Sequence, residues 1–337
     1  MTIQDSLSRR GFLAMAAASA ASLQAQNRKH VPVGLLIYAV LADWKKDFDG
    51  TLTAVSRMGY QGLEITQYES WTPERTREVR KLLDSLKLKV FSTHTEPPYL
   101  LPGDKMKHMI ELNHILGTQT ICCVRGLANA ATLYENDPPN AGGGGRRGGG
   151  KKKDMGPPPT SGPKQSGNGT GPEGGFFPQK AKNEADAWKE MGDALQVAAT
   201  ALKREKMVLS FHNHAVEFQT RRNGVGRPID ILAKAAPDLQ FGTDVNVALG
   251  AGTDLVAFMK NEYPGRTDHL LLTDGPTDSE GHVPALGKGR NPWNDIFNVA
   301  EGPRGVKFYL LTHGRADVPP MEAVKRDFDQ YKVIHGV

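Results

Sequence analysis

Met207-Val208-Leu209-Ser210-Phe211 is a short, mostly apolar run that stops abruptly in polar residues, His212-Asn213-His214-Ala215-Val216-Glu217-Phe218. A run this short, flanked by helical periodicity at Ala181–Lys203 and Asp230–Ala235, reads as a strand covered on both faces, as in a parallel sheet. The same unit repeats in both directions from here. Strands are predicted at Val33–Ile37, Gly62–Ile65, Lys89–Thr93, Thr120–Val124, Met207–Phe211, Leu239–Thr243, His269–Thr273 and Val306–Leu311. Helical patterns lie between them at Asp49–Met58, Pro73–Leu86, Lys105–Leu116, Leu255–Asn261 and Asn294–Ala300. Thr72 before Pro73, Asp104 and Asp254 are their predicted caps. Strand–helix alternation along the whole chain predicts a parallel sheet. Eight units without a second composition regime predict one α/β domain, a closed (β/α)8 barrel over residues 26–337. No Gly-x-Gly-x-x-Gly follows any strand, which argues against an open dinucleotide-binding sheet and against a nucleotide cofactor.

Two segments stand outside the repeat. Residues 142–175 hold 14 Gly and 5 Pro. Such a stretch buries too little apolar surface to offset its ordering entropy. A disordered insertion over 139–178 is therefore predicted, after strand four, where barrel loops reach the C-terminal mouth. At the other extreme, Ser8-Arg9-Arg10-Gly11-Phe12-Leu13 precedes an Ala-rich run from Ala14 to Leu23. That is the pattern of a twin-arginine export signal over residues 1–25. It predicts a periplasmic or otherwise exported protein that meets the twin-arginine translocation machinery on its way out. No Cys follows the run, so no lipid anchor is expected. No later apolar run reaches the ~20 residues of a membrane helix.

The net charge of +5 belongs to these same segments. The leader contributes +1 through Arg9 and Arg10 against Asp5. The insertion contributes +4, from Arg146, Arg147, Lys151, Lys152, Lys153 and Lys164 against Asp154 and Glu173. The remaining chain is neutral overall, so no basic face for nucleic acid is expected. The two cysteines are adjacent, Cys122-Cys123, which excludes a disulfide scaffold and reads as small apolar strand packing.

Catalytic groups of a barrel sit at the C-terminal ends of its strands. There the sequence places Glu64, then His94 followed by Glu96, Arg125, His212 through Glu217, Asp244, Asp274, and finally Thr312-His313. Imidazoles with carboxylates are ligands for Mn, Zn, Fe or Co, and they are acids and bases for moving protons beside a carbonyl. In an extended segment His212 and His214 share one side, so both are expected to face the cavity.

At Phe211-His212-Asn213-His214-Ala215-Val216-Glu217-Phe218 the chain resembles the xylose isomerase-like TIM barrels, often called sugar phosphate isomerase/epimerase. Met58-Gly59-Tyr60-Gln61-Gly62-Leu63-Glu64-Ile65, Phe91-Ser92-Thr93-His94, Asp244-Val245 with Ala251-Gly252-Thr253-Asp254, and Leu286-Gly287-Lys288-Gly289 with Pro292-Trp293 carry the same resemblance. It implies a divalent metal held at the ends of strands five to eight, chelating neighbouring oxygens of a sugar while carboxylates move protons. Carried over position by position, the ligands fall on His212, Asp244, Leu271 and Thr312. Two of the four cannot coordinate, and His313 stands one residue from the last. The expected metal set is His212, Asp244 and His313. Glu64, His94, Glu217 and His214 are the expected catalytic groups.

The expected function is that of an exported isomerase, epimerase or lyase acting on a small carbohydrate: a sugar, keto-sugar or cyclitol. A carbohydrate-binding relative without turnover, its metal site lost, is the alternative. A metal-dependent endonuclease on the same barrel is disfavoured by the neutral core and the missing ligands.

Overall fold

Strand–helix alternation closes on itself. The computed structural model describes residues 30–124, 126, 181–220 and 225–336. Its strands are β1 (Val33–Leu36), β2 (Gly62–Ile65), β3 (Lys89–Thr95), β4 (Thr120–Cys123), β5 (Val208–His212), β6 (Gln240–Asp244), β7 (Thr267–Leu272) and β8 (Phe308–Leu311). All neighbours pair in parallel, and β8 returns to β1 through Leu35 opposite Leu311. Each predicted strand is present within two residues. The predicted leader, Arg125 and the predicted insertion lie outside the described residues.

The helices around the barrel are α1 (Phe48–Met58), α2 (Pro73–Ser85), α3 (Asp104–Leu116), α4 (Glu184–Arg204), α5 (Pro228–Ala235), α6 (Leu255–Ala257, running on as a π turn through Phe258–Glu262), α7 (Trp293–Ala300) and α8 (Pro320–His335). Thr72 caps α2 by accepting from the Arg75 amide, and Asp254 caps α6 by accepting from that of Ala257. Asp104 does not cap: it is the first residue of α3, behind Gly103. Asn183 caps α4 and starts it three residues later than its apolar pattern indicates. The helix α8 follows no predicted pattern. Met321, Val324, Phe328, Tyr331 and Ile334 form its hydrophobic face, with charged residues on the other side.

Strand alternation separates two cores. Val33, Leu35, Leu63, Ile65, Ile121, Cys123, Leu209, Phe211, Leu270, Leu272, Tyr309 and Leu311 join the large cluster that packs against the helices. Leu36, Leu271, Phe308 and Leu310, with Phe91 against them, form a separate cluster inside the barrel. Gly62 is required beneath that cluster, since a Cβ there would stand 2.5 Å from the Phe91 ring. Because the sheet is parallel, the C-terminal ends of all eight strands open on one mouth.

Candidate active site

An arc of three imidazoles runs along the mouth. His94 of β3 and His212 of β5 have ring centroids 5.6 Å apart, and His212 and His214 are 5.6 Å apart. A carboxylic acid stands at each end. Glu64 of β2 is fully buried, and its Oε1 lies 2.7 Å from His94 Nε2 in an ion-pair contact off the hydrogen-bond direction. Its Oε2 accepts from Ser92 Oγ. Glu217, in a single helical turn at Ala215–Phe218, accepts from the His214 amide at 2.7 Å and is also buried. The structure therefore brings together all four expected catalytic residues, in the order Glu64, His94, His214 and Glu217, with His212 at the centre.

The two acids differ in what surrounds them. Burial pushes the Glu64 carboxyl up, but His94, His269 and Ser92 outweigh it and hold it at about 2. Burial pushes Glu217 up to about 8, with only backbone amides pulling it back. At neutral pH one is a carboxylate and the other a carboxylic acid. His212 is held well below the usual imidazole range by burial and by His94 and His214 beside it, so it is neutral. Glu69, in the loop after β2, is raised to about 6 by burial and by Glu96, while accepting from the Glu96 amide. The sequence reading passed over it, because it lies four residues beyond a strand end.

The expected metal residues do not converge. Asp244 is the N-cap of a helical turn at Val245–Gly250. Its Oδ1 accepts from the Val247 amide at 3.0 Å and from Thr273 Oγ1 at 2.7 Å, and burial raises its pKa. His313 pairs through Nδ1 with Asp327 of α8, which also accepts from the Leu286 amide. Leu271, at the strand-seven position, is in the apolar cluster inside the barrel. Asp274 is saturated: it accepts from the amides of Gly275, Gly287 and Gly289 and from Trp293 Nε1. The Gly287-Lys288-Gly289 loop and Trp293 thus serve to fix the end of strand seven. The four positions implied by the resemblance do not fit a divalent ion.

Among the described residues, one other group has ligand atoms within 4.8 Å of one another: Glu64, Cys122 and His269. Cys122 and His269 were not among the expected site residues. The signal was in the alternation, since Cys122 shares a face with Thr120, and His269 with Leu271.

No family model matches the chain, and no curated protein matches it. Solved structures do. The chain is similar to a sugar phosphate isomerase/epimerase from Parabacteroides distasonis, with 16% identity, 89% of this chain and 93% of that one covered, and a TM-score of 0.62. It is also similar to AsbF of Bacillus anthracis, a probable 3-DHS dehydratase involved in petrobactin synthesis (10% identity, 88% and 97% covered, TM-score 0.57). A third is the IOLI protein, solved with a zinc atom (10% identity, 90% and 98% covered, TM-score 0.54). Of these three, the IOLI protein was solved with a bound metal. At such identities the likeness carries the fold.

Proposed function

We propose that this chain is an exported enzyme that moves a proton next to the carbonyl of a sugar, keto-sugar or cyclitol. The observation that carries the reading is a proton acceptor and a proton donor on one arc: His212, kept neutral by burial and by His94 and His214 beside it, and Glu217, whose carboxyl burial raises to about 8. Environments that push two titratable groups apart assign the base and the acid.

Each residue then has a role. His212, neutral, takes the proton from the carbon beside the carbonyl. Glu217, protonated, delivers a proton to the carbonyl oxygen as negative charge develops there. The product is an enediol; a proton returned from His212 to the neighbouring carbon, while the Glu217 carboxylate takes back a hydroxyl proton as the new carbonyl forms, gives the isomer, and protonation of the same carbon on its other face gives the epimer. Glu64 fixes the ring of His94, which hydrogen-bonds substrate hydroxyls, and His214 lines the approach to Glu217. The expected Mn, Zn, Co or Fe has no ligand set at the family positions, and no step above depends on a metal.

Export rests on Ser8-Arg9-Arg10-Gly11-Phe12-Leu13 and the Ala-rich run behind it. An exported location favours free sugars and keto-glycosides over phosphorylated ones. Replacing both arginines by lysine should leave the full-length chain in the cytoplasm, read by its mass in cell fractions. Unchanged export would remove that part of the reading.

The test of the chemistry is deuterium uptake from solvent into a panel of ketoses, keto-glycosides and inososes, followed by mass spectrometry. Exchange that falls about 100-fold or more in His212→Ala and Glu217→Gln is expected. The second reading, carbohydrate binding without turnover, is favoured by the leucine at the strand-seven position. Calorimetric binding with no exchange from any substrate would establish it in place of the first.

A further inference from the structure

We propose that Glu64, Cys122 and His269 form a binding site for one borderline divalent ion, zinc above all, inside the barrel. The site draws on β2, β4 and the start of β7, and on none of the four positions that the resemblance implies. Its donor atoms lie within 4.8 Å of one another. Ligands of a tetrahedral zinc, at about 2.0–2.3 Å from the ion, stand about 3.5 Å apart. Closing the site takes a contraction of about 1 Å.

The imidazole is already arranged as a ligand. His269 Nδ1 contacts Asp268 Oδ1 at 2.9 Å, and that oxygen also accepts from Ser210 Oγ at 2.8 Å. A carboxylate on one ring nitrogen fixes the tautomer and turns the other nitrogen to the metal. Here the other nitrogen, Nε2, is fully buried with no hydrogen bond, 3.9 Å from Glu64 Oε2. The ring itself cannot swing. It stacks on Phe308 at 4.8 Å, and it lies over Gly242, where a Cβ would stand 2.3 Å from it. A buried nitrogen held this firmly, 3.9 Å from a carboxylate and without a hydrogen bond, has a cost, and a cation between the two would remove it.

Cys122 supplies the softness. Thr120 reaches Asp268 across the interior at 3.4 Å, so alternation along β4 turns Cys122 inward, while Cys123 packs outward with the helices. A thiolate among carboxylate and imidazole donors selects zinc or cobalt(II) over magnesium, calcium or manganese. His94, in contact with Glu64 and 9% exposed, marks the way in from the mouth.

The test is metal content and cobalt spectroscopy on the full mature chain. Purified without chelators, the wild type should carry about one zinc. Exchanged with cobalt(II), it should show the near-ultraviolet charge-transfer band of a thiolate ligand. The band should persist in Cys123→Ser and vanish in Cys122→Ser, with zinc affinity at least tenfold weaker in the latter. Circular dichroism of Cys122→Ser checks that the barrel stands. A wild type with no band under excess cobalt overturns the proposal without reference to any variant. So does a metal retained in Cys122→Ser and lost in Asp244→Ala, which would return the ion to the family positions. Either result leaves the proton-exchange assay, and the reading it tests, untouched.

Discussion

The interior of the barrel is divided into two unlike halves. Across β7, β8 and β1, Leu271, Leu310, Phe308 and Leu36 meet as an apolar crescent. From β2 to β6, the inward positions carry Glu64, Ser92, His94, Cys122, Ser210, His212 and Asp244. The resemblance places half of its metal ligands on the apolar side. Leucine there packs well and coordinates nothing, so the chemistry available to this chain draws on β2 to β6 and on Asp268 and His269 at the start of β7. A barrel tolerates this because strand order fixes where a side chain points, and not what it is.

The largest effect should come from breaking the polar half. Glu64→Ala leaves the buried His94 and His269 without their shared carboxylate, and breaking a buried pair costs about 3–5 kcal/mol. Urea denaturation should show a midpoint shift of that size. A loss under 1 kcal/mol would mean that water, and not Glu64, satisfies those rings. Glu217→Gln should act with the opposite sign. Its carboxyl is raised from 4.5 to about 8, so between those pH values the unfolded chain releases a proton that the native state keeps. Native stability is therefore eroded as pH rises through that window, and the full penalty stands above it. The variant should gain on the order of a few kcal/mol at pH 8 and nothing near pH 4. A gain that does not change with pH would show that Glu217 is ionised in the folded protein. Next in size, Leu271→His puts an unpaired polar ring into the apolar crescent, at a cost of about 1–3 kcal/mol without metal. Zinc should raise its melting temperature no more than it raises that of the wild type, because Asp244 is engaged as a cap. Full restoration by zinc would show the family site to be one substitution away.

Most of the fold was legible in the sequence, since β-branched runs and 3.6 periodicity report burial directly. Helix α8 carried the same signal, Met321, Val324, Phe328, Tyr331 and Ile334 at helical spacing, although no helix was predicted there. The mouth was legible by rule: strand ends gave Glu64, His94, His212, His214 and Glu217, which the structure places on one arc. The sequence could not say which partner each side chain takes. Asp244 looks like a ligand and works as a cap, and His313 looks like a ligand and binds a carboxylate on α8. Asp268 escaped for a different reason, being the extra residue between Thr267 and His269. A register shift between Phe241 and Gly242 pairs Gly242 with His269, and bulges leave no mark in apolar periodicity.

The smallest effect separates those two descriptions of Asp244. As a cap, Asp244 accepts from the Val247 amide and from Thr273 Oγ1, and its own amide donates to Asn213 Oδ1 at 2.9 Å. Asp244→Ala removes the two accepting contacts and keeps the third, so a loss of about 1 kcal/mol is expected, within the usual range for a lost cap. Asp244→Asn retains an acceptor for Val247 and should recover most of that loss. As a ligand, the ranking would differ. Asparagine lacks the charge a divalent ion requires, so both variants would lose metal together and asparagine would recover nothing. Melting temperatures of the two variants, with and without added zinc, therefore distinguish a cap from a ligand. A cap gives asparagine above alanine in both conditions, and equal losses that appear only with zinc would return Asp244 to the metal.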